Sequence, residues 1–289
     1  MAPLKLKENL TGPSGRLSSW IDQQDYCQWF GVTLSSFLGN LSNLQVLDLG
    51  GLDISKATNY WVQIINDHIP SLLELHFPRC KLLKLPSSFP SLNLSSFLVL
   101  DLSDNAFNSS TFPQWIFKLN NLVHLDLSSN NIFSELPNEF SKLTFFEYLD
   151  LSFIYGINGT LKRSLGKLCN LKTLILSYNI LKTQSISSMP YLNAKAIAWT
   201  LEFIFNDLTG NLLDTLRNLW KLRDLQFRYN SLTGTILETI RNLSSFETFY
   251  LTSNKMSGNL TTNIGQLMSL VSLDISENMW EGIVKYPIY

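Results

Sequence analysis

The feature that most constrains this chain is an apolar frame that recurs about every 24 residues. The frame reads L-x-x-L-x-x-L-x-L-x-x-N, and one clear copy is Leu119, Leu122, Leu125, Leu127 and Asn130. Self-similarity at a period of 20 to 50 residues indicates a chain of stacked units rather than a single globular core. Ten copies of the frame start at positions 41, 69, 94, 119, 143, 168, 195, 219, 243 and 267.

Each part of the frame has a physical interpretation. In L-x-L, two inward leucines flank one outward residue, which is the period of a strand with one buried face. Each copy is therefore predicted to add one short parallel strand, while the other leucines fill the space behind it. The amide at the end of the frame can satisfy backbone groups of the following turn. Seven copies have this amide: Asn105, Asn130, Asn179, Asn206, Asn230, Asn254 and Asn278.

Three copies depart from the asparagine rule. Cys80 occupies the position in the second copy, where a buried thiol can still donate weakly. Leu52 and Ile154 occupy it in two others and have no side-chain donor. The sequence therefore predicts local softness or rearrangement at Leu52 and Ile154.

Together these features predict an α/β repeat solenoid. We expect a right-handed superhelical arc, with a concave parallel β-sheet and a convex side of 3₁₀ or irregular turns. Residues 35–289 are assigned to about ten repeats, of which the last is incomplete. The longest connections, 53–68 and 180–194, are candidate binding loops, and the alternative is that they are variable convex segments.

Composition excludes several classes of function. Lys and Arg number 22 against 23 Asp and Glu, and no basic cluster is present, so neither nucleic acid nor an anionic membrane is an expected partner. No apolar stretch is long enough for a membrane helix, and the first residues lack the apolar core of a signal peptide. Cys27, Cys80 and Cys169 have no metal-ligand spacing, so no metal or cofactor is expected.

One combination of residues resembles a hydrolase triad. His124, Asp126 and Ser128 alternate along one strand and would share a face. However, aspartates recur at the position of Asp126 in other copies, and a flat strand offers no oxyanion hole. The chain is therefore predicted not to be an enzyme. The equivalent aspartates are Asp48, Asp101, Asp150 and Asp274.

After the asparagine, several copies continue in a recognisable way. The segments LTGNL at 208–212, LTGTI at 232–236 and MSGNL at 256–260 resemble the plant-specific leucine-rich repeat consensus L-x-G-x-I-P. Nearly the whole chain resembles the ectodomain of plant leucine-rich repeat receptor-like proteins, of the ethylene-inducing-xylanase-receptor and fungal-resistance type. Segments such as LGKLCNLKTLILSYN and IGQLMSLVSLDISENMWEG carry this resemblance.

The resemblance also covers the N-terminal region. Leu6 to Trp20, followed by Cys27, Trp29 and Gly31, match the family's N-terminal cap, but the cap's second cysteine does not follow. The resemblance therefore implies a remnant cap at 1–34 with Cys27 unpaired. It also implies a truncated ectodomain, because Met279 to Tyr289 only begin a repeat and the family's C-terminal cap and membrane helix have no counterpart.

The predicted concave face supplies the candidate ligand site. Tyr, Phe and Arg are the residue types that dominate binding hot spots. The alternative is that these aromatic rings stack on one another along the sheet. The candidate ligand-binding residues are Tyr148, Phe153, Tyr178, Glu202, Phe205, Asp224, Gln226, Arg228, Tyr229 and Tyr250.

The resemblance implies a plant cell-surface protein of immunity or development on the extracellular side of the plasma membrane. It would bind a protein or peptide ligand and signal through a partner leucine-rich repeat receptor kinase. The alternatives are a secreted inhibitor of a microbial cell-wall hydrolase, similar to the polygalacturonase-inhibiting proteins, and a non-functional truncated gene product. If the chain enters the secretory pathway, its candidate glycan acceptors are Asn9, Asn40, Asn93, Asn108, Asn158, Asn242 and Asn259.

Overall fold

The computed structural model places ten strands of the repeat frame in one parallel sheet. It describes residues 34, 38, 41–87, 96–161, 163–182, 199–211, 219–236, 240, 243–260 and 262–281. Most of the predicted cap, with Cys27, lies outside these residues, as do positions 183–194 of the second candidate loop. The boundary between cap and repeats therefore stays a prediction.

The strands follow the chain in order. The sheet has the order β1-β2-β3-β5-β8-β10-β11-β13-β15-β17, so each repeat pairs with the next. The remaining strands form four separate two-stranded sheets beside it: β4 with β6, β7 with β9, β12 with β14, and β16 with β18. The strands are β1 Val46–Asp48, β2 Glu74–His76, β3 Val99–Asp101, β4 Asn108–Ser109, β5 His124–Asp126, β6 Asn131–Ile132, β7 Ser134–Glu135, β8 Tyr148–Asp150, β9 Ile157–Asn158, β10 Thr173–Ile175, β11 Thr200–Glu202, β12 Thr209–Asn211, β13 Asp224–Gln226, β14 Ser231–Thr233, β15 Thr248–Tyr250, β16 Ser257–Asn259, β17 Ser272–Asp274 and β18 Met279–Glu281.

The register of the large sheet does not slip. Leu125 of β5 is opposite Leu100 of β3 on one side and Leu149 of β8 on the other. In the large sheet, the central residue of each strand other than β17 is at most 2% exposed, whereas Leu273 at the centre of β17 is 41% exposed. Because each inward residue packs on the equivalent residue of the next repeat, one continuous apolar core runs behind the sheet. The predicted leucine-rich repeat solenoid is confirmed.

The side behind the sheet consists mainly of short 3₁₀ segments, as predicted. One addition is an α-helix, α1, at Trp61–His68, within the connection 53–68 that the sequence marks as unusually long. Trp61 and Ile65 on α1 are buried, and the Trp61 ring lies 5.9 Å from that of Phe77. The helix thus packs into the core. The 3₁₀ segments are Ser55–Ala57, Ile116–Lys118, Asn138–Lys142, Arg163–Lys167 and Thr262–Gln266.

The asparagines make the backbone bonds that the frame predicts. Nδ2 of Asn130 donates to the carbonyl oxygens of Leu127 (2.9 Å) and of Leu102 in the preceding repeat (3.0 Å). Its Oδ1 accepts from the backbone N–H of Phe107 at 3.3 Å. One side chain therefore satisfies backbone groups of two repeats and ties them together. The other six frame asparagines repeat this pattern of donation to two repeats.

The exceptional repeats differ in how they close this turn. The Cys80 thiol is buried and donates to the carbonyl oxygen of Leu49 at 3.2 Å, the role predicted for it. Burial raises the pKa of this thiol to about 12, so it is inert. The softness or rearrangement predicted at Leu52 and Ile154 stays a prediction, because the left-handed residue that follows Ile154 has an equivalent in Lys81 after Cys80. Tyr155 adopts a φ of 57°, and a Cβ at Gly156 would lie 2.4 Å from the carbonyl oxygen of Ile132, so only glycine fits there.

Candidate ligand-binding surface

The third residue of three neighbouring strands is an aspartate that points to the concave side. Asp101 of β3, Asp126 of β5 and Asp150 of β8 are direct partners in the parallel register. We call these three residues the carboxylate row. Adjacent strands lie about 4.8 Å apart, so each carboxylate has a like charge one strand away.

The members of the row differ in how their surroundings affect the charged form. Burial raises the pKa of Asp126 to about 6; its bonds to Ser128 lower it, and the charges of Asp150 and Asp101 raise it by less than those bonds lower it. Burial likewise raises the pKa of Asp150, whose carboxylate accepts from the backbone N–H of Ser152 at 2.8 Å and from the Tyr148 hydroxyl at 3.3 Å. In contrast, burial of Asp101 is outweighed by its hydrogen bonds with His76 and Ser103, which lower its pKa. Burial thus disfavours the charged forms of Asp126 and Asp150, but not that of Asp101.

Two histidines border the row in different states. His76 lies 3.8 Å from the Asp101 carboxylate and 3.4 Å from that of Glu74. The hydrogen bond with Asp101 and, less strongly, that with Glu74 raise the pKa of His76. In contrast, burial lowers the pKa of His124, whose ring stacks on Tyr148 with centroids 4.1 Å apart. His124 thus lies against an aromatic face, whereas Asp126 accepts from the backbone N–H of Ser128.

The predicted polar residues of the later repeats form a network on the same face. Gln226 donates to Glu202 at 3.3 Å and accepts from Arg228 at 3.1 Å. The Arg228 guanidinium lies 4.8 Å from the centroid of the Tyr250 ring. Its Nε is buried without a hydrogen-bond partner in the described part of the chain. Asp224 accepts from the Thr200 hydroxyl at 3.3 Å. The structure therefore brings five of the predicted site residues, from Glu202 to Tyr250, to three adjacent strands.

Four of the predicted aromatic residues lie beyond the strands. They occupy the position before the frame asparagine, or before Ile154 in the case of Phe153, in a left-handed backbone conformation with φ between 51° and 56°. Their rings stack in sequence, with centroid distances of 4.2, 4.8 and 4.1 Å. Stacking along the sheet, one of the two alternatives from the sequence, is therefore observed, and a role in ligand binding stays a prediction. We call Phe153, Tyr178, Phe205 and Tyr229 the aromatic row.

Sequence reasoning missed a second row, which precedes the strands at the opposite edge. Lys172 pairs with Glu147, and Arg223 pairs with Glu247 at 3.3 Å. Between the two cations lies Trp199, whose ring centroid is 5.6 Å from Lys172 Nζ and 5.7 Å from Arg223 Cζ. These residues share one frame position in successive repeats, and that periodicity is the signal that could have found them. Both edges of the face are thus braced over the same repeats.

Three of the candidate glycan acceptors lie in the described part of the chain. Asn108 on β4 and Asn259 on β16 are exposed. Asn158 on β9 is half-buried, and its amide donates to the carbonyl oxygen of Gly156 at 3.2 Å. All three lie on the small lateral sheets rather than on the concave face. Asn9, Asn40, Asn93 and Asn242 lie outside the described residues.

No helix in the described part of the chain is both long enough and apolar enough to cross a membrane. In the same part, no group of three or more His, Cys, Asp or Glu side chains is arranged to hold a metal ion.

Family models match three segments of the chain. The model described as leucine rich repeat N-terminal domain matches residues 4–33, and the leucine-rich repeat model matches 121–143 and 221–243. With the parallel sheet and the asparagine bonds, these matches identify the repeats as leucine-rich repeats.

The predicted resemblance to plant receptor-like proteins is also confirmed. The chain is 32% identical over 140 residues to receptor-like protein EIX2 of Solanum lycopersicum, covering 48% of the chain. It is 35% identical over 127 residues to EIX1 of the same plant, covering 43% of the chain. The matched part spans only 12% of the length of each relative.

A solved structure shares the fold over most of the chain. The ectodomain of the Arabidopsis receptor kinase HAESA, in complex with the peptide hormone IDA and the co-receptor SERK1, is 26% identical with a TM-score of 0.61. The alignment covers 96% of this chain and 49% of that one.

Proposed function

We propose that this chain is a non-catalytic recognition module that binds a protein or peptide ligand on its concave sheet. It would act within a receptor-like protein of plant immunity or development, on the extracellular side of the plasma membrane, and signal through a partner receptor kinase. Similarity to EIX1 and EIX2 supports the class of protein. The HAESA complex supports the type of partners, because that protein binds a peptide and a co-receptor.

One observation carries the proposal: the outward residues of ten strands stand in unslipped register on an open face. Such a face is ordered before a ligand arrives, so binding loses little conformational entropy in the protein. The Glu202, Gln226 and Arg228 network beside Tyr250 adds what a peptide needs, namely hydrogen-bonding groups next to an aromatic ring. The buried Nε of Arg228 is a donor that a ligand carbonyl or carboxylate can satisfy.

Selection from a displayed library of random peptides tests this proposal. Peptides enriched on the purified chain are measured against a concave variant, Glu202→Ala with Tyr250→Ala, by fluorescence anisotropy. The matched control, Glu139→Ala with Tyr60→Ala, removes the same residue types outside the concave face. We expect at least about tenfold weaker binding for the concave variant, as for truncated hot spots, and little change for the control. No enriched peptide, or an equal loss in both variants, would refute the proposal.

A further inference from the structure

One histidine on the concave face has a carboxylate at each ring nitrogen. His76 is the third residue of β2, and its Nε2 lies 3.4 Å from the carboxylate of Glu74 on the same strand. Its Nδ1 lies 3.8 Å from the carboxylate of Asp101 on β3. A neutral imidazole has one N–H, so one of its nitrogens would turn a lone pair towards a carboxylate. Only the protonated ring, the imidazolium, can donate on both sides.

The charges on neighbouring strands also favour the imidazolium. In the parallel register His76 is opposite Asp48 of β1 on one side and Asp101 of β3 on the other. Strands β1, β2 and β3 contain no lysine or arginine, and His76 is their one basic residue. The next histidine along the sheet is His124 of β5. The charged and titratable groups around His76 are thus Asp48, Glu74 and Asp101, with His124 beyond Asp101.

These side chains meet where the second repeat joins the third. The side chain of His76 is 28% exposed and that of Asp101 is 20% exposed, so solvent screens their attraction less than that of a fully exposed pair. Next to His76, the backbone N–H of Phe77 donates to the carbonyl oxygen of Asp101 at 2.8 Å. The ion pair therefore lies beside a backbone hydrogen bond that holds the same two strands together.

We propose that His76 is a proton-dependent clamp that joins the second and third repeats. With its second proton, the ring bridges Glu74 of β2 and Asp101 of β3. When that proton is lost, the carboxylates of Asp48, Glu74 and Asp101 face one another with no positive charge on their strands, and the joint between β2 and β3 loosens. The clamp acts without a ligand and is thus separate from the proposed function.

The pH range of the clamp follows from the direction of the titration. The hydrogen bond with Asp101 outweighs burial and raises the pKa of His76, and the bond with Glu74 and the charge of Asp48 act in the same direction. The stabilisation is therefore complete below the unfolded pKa of about 6.5 and is lost as the pH rises through the higher, folded pKa. His124 has the opposite sign, because burial lowers its pKa, and it serves as an internal control.

Nuclear magnetic resonance of the histidine rings tests the first step. The chain has three histidines, and single substitutions to glutamine assign their signals. We expect His76 to titrate above about 6.5 and His124 below it. Asp101→Asn should lower the midpoint of His76, whereas the control Asp104→Asn, which makes the same change in net charge at the edge of the sheet, should leave it in place. A midpoint for His76 at or below about 6.5, or an equal shift in both variants, overturns the proposal.

Amide hydrogen exchange tests the effect on the joint. The protection of the Phe77 amide is compared at about pH 5.5 and about pH 8.5, after correction for the intrinsic exchange rate. We expect about threefold lower protection at the higher pH, and little change at the amide of Phe227, which makes the equivalent bond to Tyr250 in a later repeat.

The variants separate the clamp from other effects of pH. His76→Gln should abolish the difference at Phe77, whereas His124→Gln should preserve it. An equal dependence on pH in His76→Gln and in the unmodified chain would show that the ring does not hold the joint. Circular dichroism checks folding, and Glu74→Gln with Asp101→Asn, which leaves the ring without its partners, replaces His76→Gln if that variant does not fold.

Discussion

The carboxylate row and the aromatic row share the register of the sheet, but this register has opposite energetic effects in the two rows. Each places one residue per repeat at the spacing between strands, and each repeats one type of side chain in adjacent repeats. In the aromatic row, rings at this spacing are at stacking distance, so every added member stabilises its neighbours. In the carboxylate row the same spacing sets like charges together, so the charges of Asp101 and Asp150 disfavour the ionised form of Asp126 between them.

The two rows contribute to stability in different ways. The backbone before the frame asparagine is left-handed in nearly every repeat, whether the residue is Arg79, Asp104, Ser129 or an aromatic. That conformation costs roughly 1 kcal/mol or more for a non-glycine residue, and stacking contributes a comparable gain. The aromatic row is thus explained by stability. In the carboxylate row each aspartate accepts from the backbone N–H two residues further on and so closes the turn after its strand. The ionised form of Asp126 is nevertheless disfavoured by burial at this position.

The largest effect is expected when the aromatic row is broken in its middle. Tyr178→Ala removes stacking on Phe153 and on Phe205 and should lower the free energy of unfolding by about 2 kcal/mol. Tyr178→Phe keeps both stacks and serves as the control. Urea unfolding of the three proteins measures the change. A loss below about 0.5 kcal/mol for the alanine variant would remove the structural role assigned to this row.

A substitution in the carboxylate row is expected to change the free energy of unfolding by less, and in the opposite direction. The pKa of Asp126 is raised to about 6 in the folded chain, so its proton stabilises the fold at low pH and this stabilisation is lost as the pH rises through 6. Asp126→Asn should therefore be more stable than the unmodified chain at pH 7, by about 1 kcal/mol, and equal to it near pH 4. Thermal unfolding across this range measures it. A variant less stable at pH 7 would show that the carboxylate contributes to the fold.

The smallest effect on stability is expected for the ion pairs that precede the strands, at the edge opposite the aromatic row. The ion pair of Lys172 with Glu147 is half-exposed, so its coupling should be about 0.5 kcal/mol at low salt and smaller at 1 M salt. A double-mutant cycle with Lys172→Met and Glu147→Gln isolates this coupling from the contact between Lys172 and Trp199. If this coupling energy were as large as the loss expected for Tyr178→Ala, the ion pairs would stabilise the fold as much as the stacked rings do, and the contrast between them would be wrong.

Periodicity was sufficient to predict the parts of the fold that depend on the repeat alone. Three features follow from one residue type at one frame position: the strand at each L-x-L, the asparagine bonds and the bond made by the thiol of Cys80. Helix α1 was not predicted, because the extra length of its repeat does not show which way its apolar residues point. Only the packed structure places Trp61 against Phe77.

The candidate site was less predictable than the fold. The sequence shows aspartates at one frame position, but their partial burial and the absence of a cation opposite them depend on neighbouring strands. Likewise, Tyr178 and Phe205 are typical of binding surfaces in composition. Whether a ring meets a ligand or another ring is decided by distances that the sequence does not contain.

Because the register of the large sheet does not slip, it sets the spacing at which ligand side chains can contact the concave face. Outward side chains on successive strands are about 4.8 Å apart, whereas alternate side chains of an extended peptide are about 6.8 Å apart. Because these two spacings differ, a peptide that crosses the strands has a side chain directly opposite an outward group only once in every few residues. The face would therefore select a ligand by the spacing of its charged residues and would tolerate almost any residue at the positions in between.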